Sequence, residues 1–243
     1  MDKKPISALL LAAGYGTRLR PLTIDNPKCL IYVNDKPILE EWIIKLEEIN
    51  AQKVLINTHY LHRKVDDFLK TQNFRKPKLT NIFEENLLGT AGTLLKNYEY
   101  FLKTTALMIH SDNFTTLDLK GLIMAHNNRP KECLLTMLTF NCSEPSLCGI
   151  VKVNSKKVVV DFFEKQPNPP GNIANGAVYV FEDDFLYWMV KNFPKAKDFS
   201  TEIIPKLLGK IYTYHTNLPY IDIGTPSSLD EAKRIAKMKE VKK

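Results

Sequence analysis

The sequence contains no apolar run approaching the roughly 20 residues that cross a bilayer, so no membrane-spanning helix is expected. Its four cysteines (Cys29, Cys133, Cys142 and Cys148) include no CxxC pair and no histidines at zinc-ligand spacing. That argues against a zinc site or a disulfide framework, and the thiols read as reduced and cytosolic. There is no low-complexity linker, no internal repeat and no convincing Ser/His/Asp or Cys/His set. Lys3 and Lys4 before the apolar residues 6–13 loosely imitate a secretion signal. The run is short and a glycine-rich loop with two arginines follows it, so a buried opening strand and a cytoplasmic location are the expectation.

Charge is likewise scarcer than it first looks. Of the formal net charge of +7, residues 231–243 supply +4, from six Lys/Arg against two Glu. A basic terminal helix with a solvated face accounts for most of the surplus, so neither nucleic acid nor a membrane surface is expected as a partner. A mild positive bias also suits phosphate-rich substrates.

What is present is an alternation of β-rich runs and one-sided helical patterns. Ile6–Leu11 is a continuous apolar strand of the kind buried on both faces of a sheet. After Pro37, Leu39, Trp42, Ile43, Leu46 and Ile49 share a helical face. Strands follow at 53–57, 79–83 and 106–110, with helices at 61–70 and 90–100 between them. This βα alternation predicts a Rossmann-like α/β core: a mixed, mostly parallel sheet with flanking helices. Beyond it lies a more β-rich half, with strands at 133–140, 149–153, 158–163 and 177–181. Helices are expected at 184–192 and 201–208, strands at 211–215 and 220–223, and a closing helix at 226–240 with Thr225 as its cap. The expected organisation is a single domain: about 1–130 as a nucleotide half, about 131–225 as a more β-rich half, and about 226–243 as the basic helix.

The most informative segment runs from Leu11, Ala12 and Ala13 through GYGTRLRPLT (14–23) to Pro27 and Lys28. Small residues after a buried strand let backbone N–H groups approach a polyphosphate. Arg18 can clamp phosphate oxygens and Lys28 can add a compact positive charge. A dinucleotide fingerprint needs a glycine where Leu19 stands, and a Walker loop needs Gly-Lys-Ser/Thr, which is absent. A plain surface turn would explain the glycines but not Thr17, Arg18 and Lys28 together.

This string, with the following PK, resembles the signature of the sugar-1-phosphate nucleotidylyltransferases. Six further matches occur in order: LGTAG at 88–92, SD at 111–112, CGIV at 148–151, FEK at 163–165, NGAVYV at 175–180 and DIGT at 222–225. The resemblance implies the nucleotide-diphospho-sugar transferase fold, and NTP and sugar 1-phosphate as substrates. It implies nucleotide contacts from Leu11, Ala12, Ala13, Gly14, Gly16, Thr17, Arg18, Lys28, Glu84, Gly89 and Thr90, with Arg18, Lys28 and Asp112 catalytic. It further implies Mg²⁺ on Asp112 and Asp222, and sugar-phosphate contacts from Gly149, Glu164, Lys165 and Asn175. Asn113 can be read as an extra metal ligand or as a turn former, and the turn is the expectation.

The matching position for base recognition is Glu84. A carboxylate only accepts hydrogen bonds, and guanine presents two adjacent donors where thymine and uracil present one donor flanked by acceptors. GTP is therefore the expected nucleotide, and segment 84–92 most resembles the guanylyltransferase members of the family, which implies a mannose- or heptose-type sugar 1-phosphate. Cys29, Gln166 and Tyr220 stand where the family usually has proline, proline and tryptophan, which loosens the sugar assignment. Other readings are a UTP-, dTTP- or CTP-using sugar enzyme, a phosphocholine cytidylyltransferase, and a catalytically silent NDP-sugar sensor. The sensor reading conflicts with the presence of all four charged groups, and phosphocholine with the Glu164-Lys165 and Asn175-Gly176 segments, since choline has no ring hydroxyls. Whether the chain forms a homo-oligomer is left open.

Overall fold

The computed structural model describes residues 4–74 and 76–240. Contacts sort the chain into two compact units built from interleaved segments. One takes Ala8–Leu87, His110–Asp118 and the chain from Leu218 onward; the other takes the chain up to Ser7, Leu88–Ile109 and Leu119–Asn217.

In the first unit, the strands Ile6–Leu11, Ala51–Thr58 and Lys78–Phe83 are neighbours in that order. The last two run parallel, with Lys53 opposite Lys78 and Thr58 opposite Phe83. Ser7 to Leu10 have no exposed surface, as the unbroken apolar run requires. Helix Ile38–Glu48 buries Ile38, Leu39, Trp42, Ile43 and Leu46 along one stripe. Asn113–Thr115 and Tyr220–Asp222 form a separate antiparallel pair. Helix Pro226–Glu240 follows at once, its first turn capped by Thr225 Oγ1, which accepts from Ser228 N at 3.2 Å.

The second unit is mainly antiparallel. Val159–Glu164, Gly149–Val153, Ile173–Phe181 and Thr105–His110 lie side by side in that order. Leu135–Asn141 also pairs antiparallel with Ile173–Phe181 and runs parallel to Ile211–Thr216. The register of Ile173–Phe181 shifts between Asn175 and Tyr179, where Ala177 takes a positive φ of 51°. The strand therefore bulges at the NGA segment.

Three expectations need correction. The 90–100 helix stops at Lys96, and Tyr98–Phe101 is a separate 3-10 turn. The 201–208 helix is replaced by a single wide turn, Phe199–Ile203, and the short turn Ile204–Lys206. Pro205 lacks the N–H a continued helix would need. A helix at Leu119–Asn127 was not anticipated, because Gly121 interrupts its pattern. Tyr214 Oη approaches that glycine so closely that a side chain could not fit. Among the described residues, no helix is long and apolar enough to cross a membrane.

Candidate active site

The strand pair Asn113–Thr115 and Tyr220–Asp222 brings together two carboxylates that are far apart in sequence. Asp222 lies opposite Asn113, and Ile223 N donates to Asp112 O at 3.1 Å. Asn113 opens the strand after the Ser111-Asp112 turn, and its Nδ2 closes that turn by donating to His110 O at 3.2 Å. Trp42 Nε1 donates to Asn113 O at 2.8 Å, anchoring that turn to the helix behind it.

Lys28 sits between the two carboxylates. Its Nζ donates to Asp112 Oδ2 at 2.6 Å and to Asp222 Oδ1 at 2.9 Å, and its side chain is only 10% exposed. Arg18 Nη2 reaches Asp222 Oδ2 at 3.3 Å from a largely exposed position. Burial opposes ionisation of Asp112. The Lys28 ammonium, with a smaller contribution from His110, outweighs it and holds the carboxyl below its ordinary range. Burial likewise opposes the charge on Lys28, but Asp112 and Asp222 together raise its pKa. Lys28 and Asp112 thus favour each other's charged form in a cluster that Asp222 and Arg18 complete.

The glycine-rich loop supplies both cations. Gly16 has φ +63°, and a Cβ on it would lie 3.0 Å from Thr23 Cγ2 and 3.1 Å from Lys28 Cβ. The loop therefore closes against the lysine only with a glycine there. Thr23 Oγ1 donates to Gly16 O at 2.7 Å, and Thr17 opens the short turn that carries Arg18. A Cβ on Gly224 would meet Arg18 Nη2 at 2.8 Å and Asp222 Oδ2 at 2.9 Å, so the glycine of DIGT leaves room for that ion pair. Cys29 is buried beside Lys28, and burial pushes its thiol up to about 12.

The start of the loop is held from within the unit. Leu11 O accepts from Ser111 N and Oγ, at 3.2 and 2.7 Å. Ala12 N donates to Asn57 Oδ1 at 2.8 Å, Ala12 and Ala13 are buried, and Gly14 is exposed. Glu84 is 2% exposed and accepts from Asn57 Nδ2 at 3.1 Å, while Glu85 is exposed. Asn57 and His59, whose Nδ1 contacts Glu84 O at 2.7 Å, escaped the sequence reading. The available signal was an amide inside the apolar strand VLIN.

The other expected residues lie in the β-rich unit. Gly89 has φ +78° and Thr90 Oγ1 accepts from Phe199 N at 2.8 Å. Gly149 stands opposite Glu164 across the Val159–Glu164 and Gly149–Val153 pair, and a Cβ on it would meet Glu164 Oε2 at 2.6 Å. Lys165 Nζ is 3.6 Å from Glu164 Oε1 and largely exposed. Burial raises the Glu164 pKa despite the attraction of Lys165, with Asp198 adding to the rise. Asn175 Nδ2 donates to Tyr179 Oη at 2.7 Å and its Oδ1 accepts from Ala177 N at 2.9 Å, so its amide spans the bulge.

The chain is similar to several known proteins. A D-glycero-alpha-D-manno-heptose 1-phosphate guanylyltransferase from Campylobacter jejuni is 27% identical over 91% of this chain and 96% of its own length. A mannose-1-phosphate guanylyltransferase from Mycobacterium tuberculosis is 27% identical over 93% of this chain. The chain spans only 63% of that relative's length. A UTP–glucose-1-phosphate uridylyltransferase from Synechocystis sp. is 25% identical over 98% of this chain and 65% of its own. In fold, the crystal structure of HddC from Yersinia pseudotuberculosis matches with a TM-score of 0.79 and 23% identity, covering 95% of this chain and 99% of that one. The family model described as nucleotidyl transferase matches residues 7–238, and the chain belongs to that enzyme family.

Proposed function

We propose that the protein transfers a nucleoside monophosphate from an NTP to a sugar 1-phosphate, releasing pyrophosphate. One observation carries the reading: the Lys28 ammonium held between Asp112 and Asp222, with Arg18 at its side on the glycine-rich loop. A sugar-phosphate oxygen attacks the α-phosphorus, the new P–O bond forms, and the bond to the β-phosphate oxygen breaks. No nucleophilic side chain is required, because positioning and charge neutralisation supply the catalysis. Arg18 and Lys28 balance the charge that builds on the phosphates. Glu164 accepts hydrogen bonds from sugar hydroxyls, Lys165 balances the sugar phosphate, Asn175 serves a hydroxyl pair and Gly149 leaves room for the ring.

The donor set suits a hard divalent ion. Asp112 and Asp222 offer carboxylates converging on one cation, and the described residues contain no group of three or more His, Cys, Asp or Glu placed to bind a metal. Two protein carboxylates, with the remaining positions left to phosphate oxygens and water, is the usual arrangement for Mg²⁺. When bound there, it would neutralise phosphate charge and make the α-phosphorus more electrophilic.

For the nucleobase we favour guanine, read by Glu84 as an acceptor of its adjacent donors, and for the sugar a mannose- or heptose-type 1-phosphate. The test is pyrophosphate release across GTP, ATP, UTP, CTP and dTTP against mannose, glucose, glucosamine and heptose 1-phosphates with Mg²⁺. GTP with a mannose or heptose 1-phosphate is expected to give the highest rate. Release from none of the pairs would overturn the reading.

A further inference from the structure

Resting on the reading of Glu84 given above, we propose that Asn57 is a specificity-determining positioning residue. Its amide clamps the base-reading carboxylate and the peptide that opens the glycine-rich loop into one rigid unit. Asn57 is 3% exposed, at the carboxyl end of Ala51–Thr58, between the opening strand and Lys78–Phe83. The chemistry of its neighbours fixes which way its amide points. Ala12 N–H can only donate, so it faces Oδ1 at 2.8 Å; the Glu84 carboxylate accepts, so it faces Nδ2 at 3.1 Å. Neither partner tolerates the flipped amide.

Glu84 is tied to this short stretch in two further ways. Its N–H donates to Thr58 O at 2.8 Å, and its carbonyl lies 2.7 Å from His59 Nδ1. A carbonyl only accepts, so His59 must donate from Nδ1. In the neutral ring Nε2 is then the acceptor for Tyr15 Oη, 2.9 Å away. Asn57 and His59, two residues apart, thus each join the loop to Glu84: one through Ala12 and the Glu84 side chain, the other through Tyr15 and the Glu84 main chain.

The carboxylate that selects the base is therefore held in fixed register with the backbone that approaches the nucleotide. A guanine reader must keep its two acceptors aligned with the two donors of the base. Releasing the clamp costs discrimination more than it costs phosphate chemistry.

The test exchanges charge within the clamp. In Asn57→Asp a carboxylate replaces the donor facing Glu84, so two acceptors oppose each other. In the double variant Asn57→Asp/Glu84→Gln the donor returns from the other side. Asn57→Ser removes the clamp without adding charge, should the aspartate variant not fold. Equilibrium binding of GTP and UTP is measured with Mg²⁺ and without sugar, together with kcat and KM using mannose 1-phosphate. In Asn57→Asp and Asn57→Ser the preference for GTP over UTP is expected to fall about tenfold, the magnitude of one charge-assisted hydrogen bond lost. kcat at saturating GTP should move less than threefold. The double variant should recover the thermal stability lost in Asn57→Asp but not the GTP preference. If Glu84→Gln shifts the preference while both Asn57 single variants keep it within twofold, the positioning role is overturned and the base reading stands. If Glu84→Gln leaves the preference unchanged, both fall.

Discussion

Two carboxylates, one in each unit, have a lysine beside them and yet shift in opposite directions. Asp112 is held below its ordinary range and Glu164 is raised above it. Burial pushes both the same way, so the difference lies in the neighbouring charges, first among them the lysine. Lys28 is itself buried, touches Asp112 at 2.6 Å and is pinned from the other side by Asp222. Lys165 is 68% exposed, stands 3.6 Å from Glu164 and has water to screen it. An ammonium stabilises a neighbouring anion strongly only when it is fixed and shielded from solvent; a mobile surface lysine leaves desolvation in charge.

The sharpest way to break this contrast is to remove each lysine. Lys28→Met should lower pyrophosphate release by about 10²–10³-fold, in line with the loss of one preorganised charge at a reacting group. Arg18→Ala and Asp112→Ala should also cost orders of magnitude while far-ultraviolet circular dichroism stays native. Lys165→Met should cost about tenfold, chiefly as a higher KM for the sugar 1-phosphate. Equal losses from Lys28→Met and Lys165→Met would erase the distinction.

Glu164→Gln comes next. It keeps the shape and removes a charge that burial disfavours, so it should raise the sugar-phosphate KM about fivefold with kcat nearly unchanged. A collapse of kcat instead would place Glu164 in the chemistry.

The smallest effect is in the pH dependence of stability. Asp112 has a folded pKa below its ordinary 3.8, so its contribution is complete above that value and is lost as pH falls through the folded pKa. Glu164 has the opposite sign: its contribution is fullest below its ordinary 4.5 and is lost as pH rises through the raised folded value. Urea unfolding of Asp112→Asn should therefore show a flatter acid limb than the parent chain. Glu164→Gln should be slightly more stable near neutrality, with the gain vanishing at acid pH. His126, fully buried with Nε2 unpartnered, shares the sign of Asp112. Burial, then Arg129 and Lys4, lower its pKa from 6.5 to about 3, and stability drains across that interval as pH falls. His126→Phe should flatten that part of the curve; an unchanged slope would contradict the neutral buried imidazole.

Much of this was legible in the sequence because the loop is a local device. Strand, glycines, Arg18 and Lys28 lie within one short segment, so the placing of both cations beside the opening strand could be read from the sequence. The helix Ile38–Glu48 and the strands before and after it were legible through their periodicity. The double bridge on Lys28 was not, since its partners lie 84 and 194 residues away and meet only through the small strand pair at Asn113 and Asp222. Asn57 stayed hidden for a related reason: a single amide in an apolar strand says nothing of its partners, which come from Ala12 on one side and Glu84 on the other. The 201–208 helix failed because an apolar periodicity was followed through Pro205, where the missing N–H should have ended it.

Cys29 turns its seclusion into an observable. Buried beside Lys28, with a thiol that stays protonated at neutral pH, it is shut off from alkylating reagents while the loop remains seated. In a chain whose other three cysteines are replaced by serine, the rate of its labelling would time the excursions in which the glycine-rich loop comes apart, and a nucleotide bound as proposed would slow that clock in proportion to its grip.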